Sequence, residues 1–187
     1  MGHKKSLLDR YAQFSEDVRI LNRVLSATEA IPTAYRDNLA AQEQALLVND
    51  LQMFLLQVFA FEGFVTACLH AAGLTKEKST LDSVGLLVAP KVQGERSYQR
   101  LRAHVQEILK VRDAWVHGQG DPRVLRRPSL PGHFAKRFGL VARDGRLWIR
   151  LTHKAPGHPV VWKFVVQNLE KMAGVIWESA QSRISKG

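Results

Sequence analysis

The longest helical pattern in the chain runs over residues 34–72, and it dictates much of what the rest must do. Leu47, Leu51, Phe54, Leu55, Val58, Phe59, Phe61, Val65 and Leu69 recur at intervals of three and four residues. Such a wide apolar face needs other elements to cover it. Gly73 follows as a natural stop, since glycine tolerates the left-handed conformation that ends helices. Gln52, Gln57, Glu62, Thr66 and His70 interrupt the most apolar part, residues 51–72. That stretch therefore reads as a buried helix and not as a membrane span. With no secretory signal visible, the expectation is a cytoplasmic protein without a membrane partner.

Other segments carry the complementary faces. Residues 6–29 predict a first helix, with Ser6 as N-cap and Leu7, Tyr11, Phe14, Val18, Leu21 and Leu25 as its stripe. Ile31-Pro32-Thr33 breaks it. Residues 75–80 read as a polar loop, and 81–88 as a short helix or a packed loop. Pro90 and Gly94 frame a turn. Residues 95–116 form an amphipathic helix on Tyr98, Leu101, Val105, Ile108 and Leu109, ended by Gly118 and Gly120. Residues 138–151 suggest a β-hairpin around Asp144-Gly145, a pair that favours tight turns, and its basic residues make it an expected arm on the bundle and not part of the core. Residues 159–184 predict a last helix with Pro159 at its first position. The expected fold class is therefore all-α: four to five helices, with a β-hairpin inserted before the last. With 187 residues and no repeats or low-complexity linker, one domain spanning 1–187 is expected. The one cysteine, Cys68, lies in an apolar run and is expected to be a buried thiol.

Chemistry concentrates at the end of the fourth helical segment, in Val111-Arg112-Asp113-Ala114-Trp115-Val116-His117-Gly118. Arginine stays charged and offers a planar fork of donors to phosphate oxygens. Histidine trades protons near neutral pH. The same loose spacing recurs at Arg127–His133 and Arg146–His153, but prolines interrupt the first and the second lies in a strand-like segment. Only Arg112 and His117 close an amphipathic helix. Residues five apart on an ideal helix point about 140° from one another. The two converge only if the helix ends or bends near His117.

This arrangement resembles the Arg-x4–6-His motif of HEPN-domain proteins, in which a polar residue follows the arginine and a small residue often follows the histidine, as Asp113 and Gly118 do here. The resemblance implies an up-and-down helical bundle that dimerises through the motif helix. It also implies a metal-independent endoribonuclease that leaves 2′,3′-cyclic phosphate ends and needs no cofactor. Arg112 and His117 would be catalytic. Asp113 would orient the imidazole, although by spacing alone it could equally sit in solvent. Glu62, a lone carboxylate among Phe59, Phe61 and Phe64, either faces solvent or pairs with an arginine across the bundle, and by the resemblance it would support the site. Many members of the family are toxins or defence effectors, so a protein antitoxin or regulator is a further implied partner. The toxin branch often has tyrosine two residues after the histidine. Gln119 stands there instead, which puts pairing with that branch's modifying antitoxin in doubt.

Charge points the same way. The chain carries a formal +10 with a pI near 10.1, which favours a polyanionic partner such as RNA. Nine basic residues against Asp121 and Asp144 fall within 121–154, the basic loop and hairpin insertion. Arg123, Arg126, Arg127, Arg143, Arg146 and Arg150 are its candidate RNA contacts, and Trp148 its candidate stacking platform. His153 and His158 flank Pro156-Gly157 with no carboxylate or thiolate beside them, so no metal site is expected. Two other readings remain open: a HEPN-like module that binds RNA or nucleotides without cutting, and a helical adaptor for protein partners.

Overall fold

A computed structural model describes residues 11, 12, 15, 16, 19, 39–118, 138, 139, 141–143, 146–154 and 156–184. The fold is all-α in class. Five helices run through the described residues: α1 (Leu39–Ala71), α2 (Thr80–Leu87), α3 (Pro90–Gln93), α4 (Arg96–Gly118) and α5 (Val161–Ile184). Two short strands, β1 (Val141–Arg143) and β2 (Arg146–Trp148), lie between α4 and α5. Of the expected first helix, Tyr11, Ala12, Ser15, Glu16 and Arg19 are described and helical. Ser6 and the remainder of that segment lie outside the described residues.

Helix α1 supplies the spine. Leu47, Phe54, Val58, Phe61, Val65 and Leu69 are buried, as the periodicity predicts. Phe59 is not: it is 46 % exposed, as Leu56 is at 53 %. Apolar residues wrap so far round this helix that spacing alone does not say which edge of the stripe faces water. Residues 46–71 are long and apolar enough to cross a membrane by length and composition, and half of their most apolar window is buried inside the protein. The helix stops at Gly73, whose φ is +67°. There the Gly73 N–H donates to the His70 carbonyl and the Leu74 N–H to the Leu69 carbonyl, the paired bonds of a Schellman ending.

Helix α2 begins where Ser79 caps it, its side chain accepting from the Asp82 N–H at 3.1 Å. Leu81, Val84 and Leu87 bury its inner face. Helix α5 packs against α4, α1 and α2. It starts at Val161, two residues after Pro159, because Val160 is still held in an antiparallel bridge to Lys154. One contiguous core joins α1, α2, α4, α5 and residues Phe138, Ile149 and Leu151. Tyr11 reaches the same core from outside, stacked on Trp177 at 5.3 Å and edge-on to Phe64 at 5.9 Å.

The segment before α5 corrects the expectation of a basic hairpin standing off the helices. β1 and β2 pair antiparallel over three positions, Val141 with Trp148, Ala142 with Leu147 and Arg143 with Arg146. The expected turn at Asp144-Gly145 lies outside the described residues. Beyond Trp148 the chain turns inward, and Phe138, Ile149 and Leu151 are fully buried. Burying each such side chain contributes about 1.5–3 kcal/mol, more than flanking arginines gain by holding it in water. A buried carboxylate secures this turn: the Leu151 N–H donates to Asp50 Oδ2 on α1 at 3.0 Å. Gly139, at φ +54°, is the fixed point before it, because a Cβ there would sit 2.4 Å from the His153 Cβ.

Candidate active site on the fourth helix

Helical phase decides where Arg112 points. Val105, Ile108, Arg112 and Trp115 follow one another at three- and four-residue steps along α4. Val105 and Ile108 are fully buried, so the guanidinium is carried toward the interior. A charge there needs a partner. Glu62 on α1 provides it: Arg112 Nη2 pairs with Glu62 Oε1, with the two side chains only 14 % and 17 % exposed. The same carboxylate oxygen accepts from the Thr80 hydroxyl at 2.5 Å. Glu62 therefore ties together α1, the start of α2 and α4.

The other edge of the guanidinium is also engaged. Arg112 Nη1 lies 2.6 Å from Asp113 Oδ1, on a side chain that is half exposed. Arg112 Nε is buried with no hydrogen-bond partner among the described residues. The arginine is thus held between an inner and an outer carboxylate. The sequence left open whether Glu62 faces solvent or an arginine across the helices, and it is the arginine.

His117 occupies the last turn of α4 and is exposed. It follows Asp113 by four residues, so the two share one face of the helix. Among the described residues His117 has no hydrogen-bond or ion-pair partner, and Asp113 pairs with Arg112 instead of orienting the imidazole. The helix continues through Gly118 without ending at His117. Within one chain, then, Arg112 faces inward and His117 outward, about 140° apart by helix geometry.

The remaining predicted contacts divide. Arg123, Arg126 and Arg127 lie outside the described residues. Arg143 belongs to β1 by its backbone. Arg146 is exposed on β2, and Arg150 is half-buried near Asp50. Trp148 is a correction: it is 7 % exposed and packs on Trp115 with ring centroids 5.0 Å apart. A ring covered on this scale offers no face to a nucleobase; its apolar area prefers the core to the neighbouring charges. Among the described residues, no three His, Cys, Asp or Glu side chains gather as metal ligands.

Sequence reasoning missed three polar positions. Thr80 falls in the segment that reads as a polar loop but opens α2, and its hydroxyl beside Ser79 is the signal in the sequence. Asp50 is 7 % exposed, and burial pushes its pKa up against the lowering effects of the Leu151 N–H and Arg150. Asn168 is 9 % exposed and takes His104 as its partner; an amide flanked by Val165, Leu169 and Met172 in an apolar stripe was the sign. Comparison with protein-family models, curated proteins and solved structures finds no match to this chain.

Proposed function

We propose that the chain is a HEPN-like, metal-independent endoribonuclease that works as a homodimer. The observation carrying this reading is the ordered series Glu62–Arg112–Asp113 leading to an exposed His117 one turn further along α4. Glu62 fixes the inner edge of the guanidinium. Asp113 covers the outer edge and is itself half exposed, so a phosphate oxygen can replace it without disturbing the buried pair.

The chemistry follows from RNA carrying its own nucleophile. His117 takes the proton of the 2′-hydroxyl as that oxygen bonds to phosphorus. Arg112 neutralises charge building on the non-bridging oxygens. The bond from phosphorus to the 5′-oxygen breaks, and that oxygen takes a proton from a second imidazole. Products are a 2′,3′-cyclic phosphate and a 5′-hydroxyl end. Base and acid stand on opposite sides of the phosphate, and each chain brings one His117. A two-fold pairing of up-and-down helical bundles through α4 supplies the second. It also lets the Arg112 of one copy approach the His117 of the other, which the 140° divergence prevents within one helix. The net charge of +10 suits an RNA substrate. A cytoplasmic toxin or defence role, with a protein antitoxin or regulator holding it in check, accords with this activity.

A second reading has its own support. Two carboxylates already occupy Arg112, which suits a bundle that binds RNA without cutting it. Incubation with single-stranded RNA in EDTA separates the two. The nuclease releases cyclic-phosphate ends and runs as a dimer in light scattering; the binding module retains intact RNA.

A further inference from the structure

We propose that the groove between α4 and α5 is a second ligand site, which binds a small organic carboxylate with an apolar tail. It is open to solvent, has a volume of about 960 Å³, and is lined from both helices and from the segment leading into α5. It goes beyond the reading of His117, from which His104 stands thirteen residues back along α4, about 20 Å by the helical rise.

A hydrogen-bonded pair is built into its wall. His104 Nδ1 lies 3.0 Å from Asn168 Oδ1. The orientation of the amide is set because Asn168 Nδ2 donates to the Phe164 carbonyl at 2.6 Å. Oδ1 must then accept, so His104 Nδ1 carries the hydrogen and Nε2 is the ring nitrogen left for another partner. The imidazole also packs on the Phe164 ring at 5.1 Å, which fixes its plane. Asn168 is a nearly buried amide in the middle of an apolar helix face. For packing alone an aliphatic side chain there would serve as well, and the amide's one evident use is to orient the imidazole.

The surroundings select the ligand. Arg100 precedes His104 by one turn of α4, Lys171 follows Asn168 by one turn of α5, and both line the groove. An anion between these cations accepts from the guanidinium and the ammonium, and from His104 Nε2 when that nitrogen carries a hydrogen. Glu95, Glu178 and a second histidine, His158, also line the groove. Arg100 and Lys171 balance the two carboxylates, so the lining favours a monoanion over a dianionic phosphate. Leu101, Phe164 and Val175 give an apolar wall for a tail.

The test uses the full chain and two probes with the same tail, sodium octanoate and octyl phosphate, followed through the histidine ring nitrogens by NMR. Octanoate is expected to shift the His104 ring saturably. Arg100→Ala and Lys171→Ala, both at exposed positions, each weaken it tenfold or more while leaving the thermal midpoint in place. His117→Ala leaves octanoate binding unchanged, so this site and the nuclease reading fail or stand separately. No saturable shift at millimolar octanoate, equal binding by the Lys171→Ala and wild-type proteins, or tighter binding of octyl phosphate would each overturn the proposal.

Discussion

Arg112 on α4 and Glu62 on α1 form an ion pair that is largely closed to solvent, and Thr80 at the start of α2 donates to the same carboxylate. Three helices therefore meet at one charged contact. Breaking such a pair from one side leaves the other charge without compensation, at a cost of about 3–5 kcal/mol. Glu62→Ala is expected to lose stability on that scale in urea denaturation. The double substitution Glu62→Leu, Arg112→Met should recover most of it, because neither charge then remains. A double variant as unstable as Glu62→Ala would show that the pair is not what holds these helices.

Asp50 offers a test by pH. Burial raises its pKa in the folded protein above the ordinary carboxylate value. Its protonated form is thus favoured by folding: the stability it contributes is fully present below the unfolded pKa and is lost as pH rises through the raised one. Asp50→Asn keeps an oxygen for the Leu151 N–H and removes the buried charge. At pH 7 this variant should equal or exceed the wild type in stability, and its advantage should shrink as pH falls through the raised pKa. Asp50→Ala strands the N–H and should cost about 1–3 kcal/mol. Denaturation curves between pH 4 and 7 read both effects.

Gly139 combines a left-handed backbone with a close neighbour. Gly139→Ala places a Cβ 2.4 Å from the His153 Cβ and holds alanine at φ +54°. Strain at such a backbone position alone costs about 1–3 kcal/mol. Adding His153→Gly removes the steric conflict but not the backbone strain. Its thermal midpoint should therefore lie between those of Gly139→Ala and the wild type.

Trp148 distinguishes a core residue from a base platform. Trp148→Ala should cost about 3–5 kcal/mol in stability, the usual scale for emptying a buried indole site. Under conditions where the variant remains folded, its RNA affinity should match the wild type. A loss of affinity without loss of stability would restore the stacking role that the sequence suggested.

The all-α class, the main helices and the Gly73 stop were legible because long periodic patterns and helix caps are local signals. The Glu62–Arg112 contact was legible only as one of two options. It joins residues fifty positions apart, and no local pattern records that distance. Basic neighbours made residues 138–151 look like a surface arm. Burial of Ile149 and Leu151 prevailed over that composition, with Asp50 supplying a hydrogen-bond acceptor that spacing could not reveal. Phe59 was misplaced because apolar residues continue past the edge of the buried face of α1.

The most direct measurement is single-turnover cleavage of labelled single-stranded RNA in EDTA by the wild type and by His117→Ala. His117 is exposed and has no partner among the described residues, so its removal should leave the thermal midpoint unchanged. The account predicts cyclic-phosphate products from the wild type and at least a hundredfold slower cleavage by the variant, on the scale lost with a general acid or base. Cleavage by His117→Ala at the wild-type rate would contradict it, as would a wild type that holds RNA intact at every concentration.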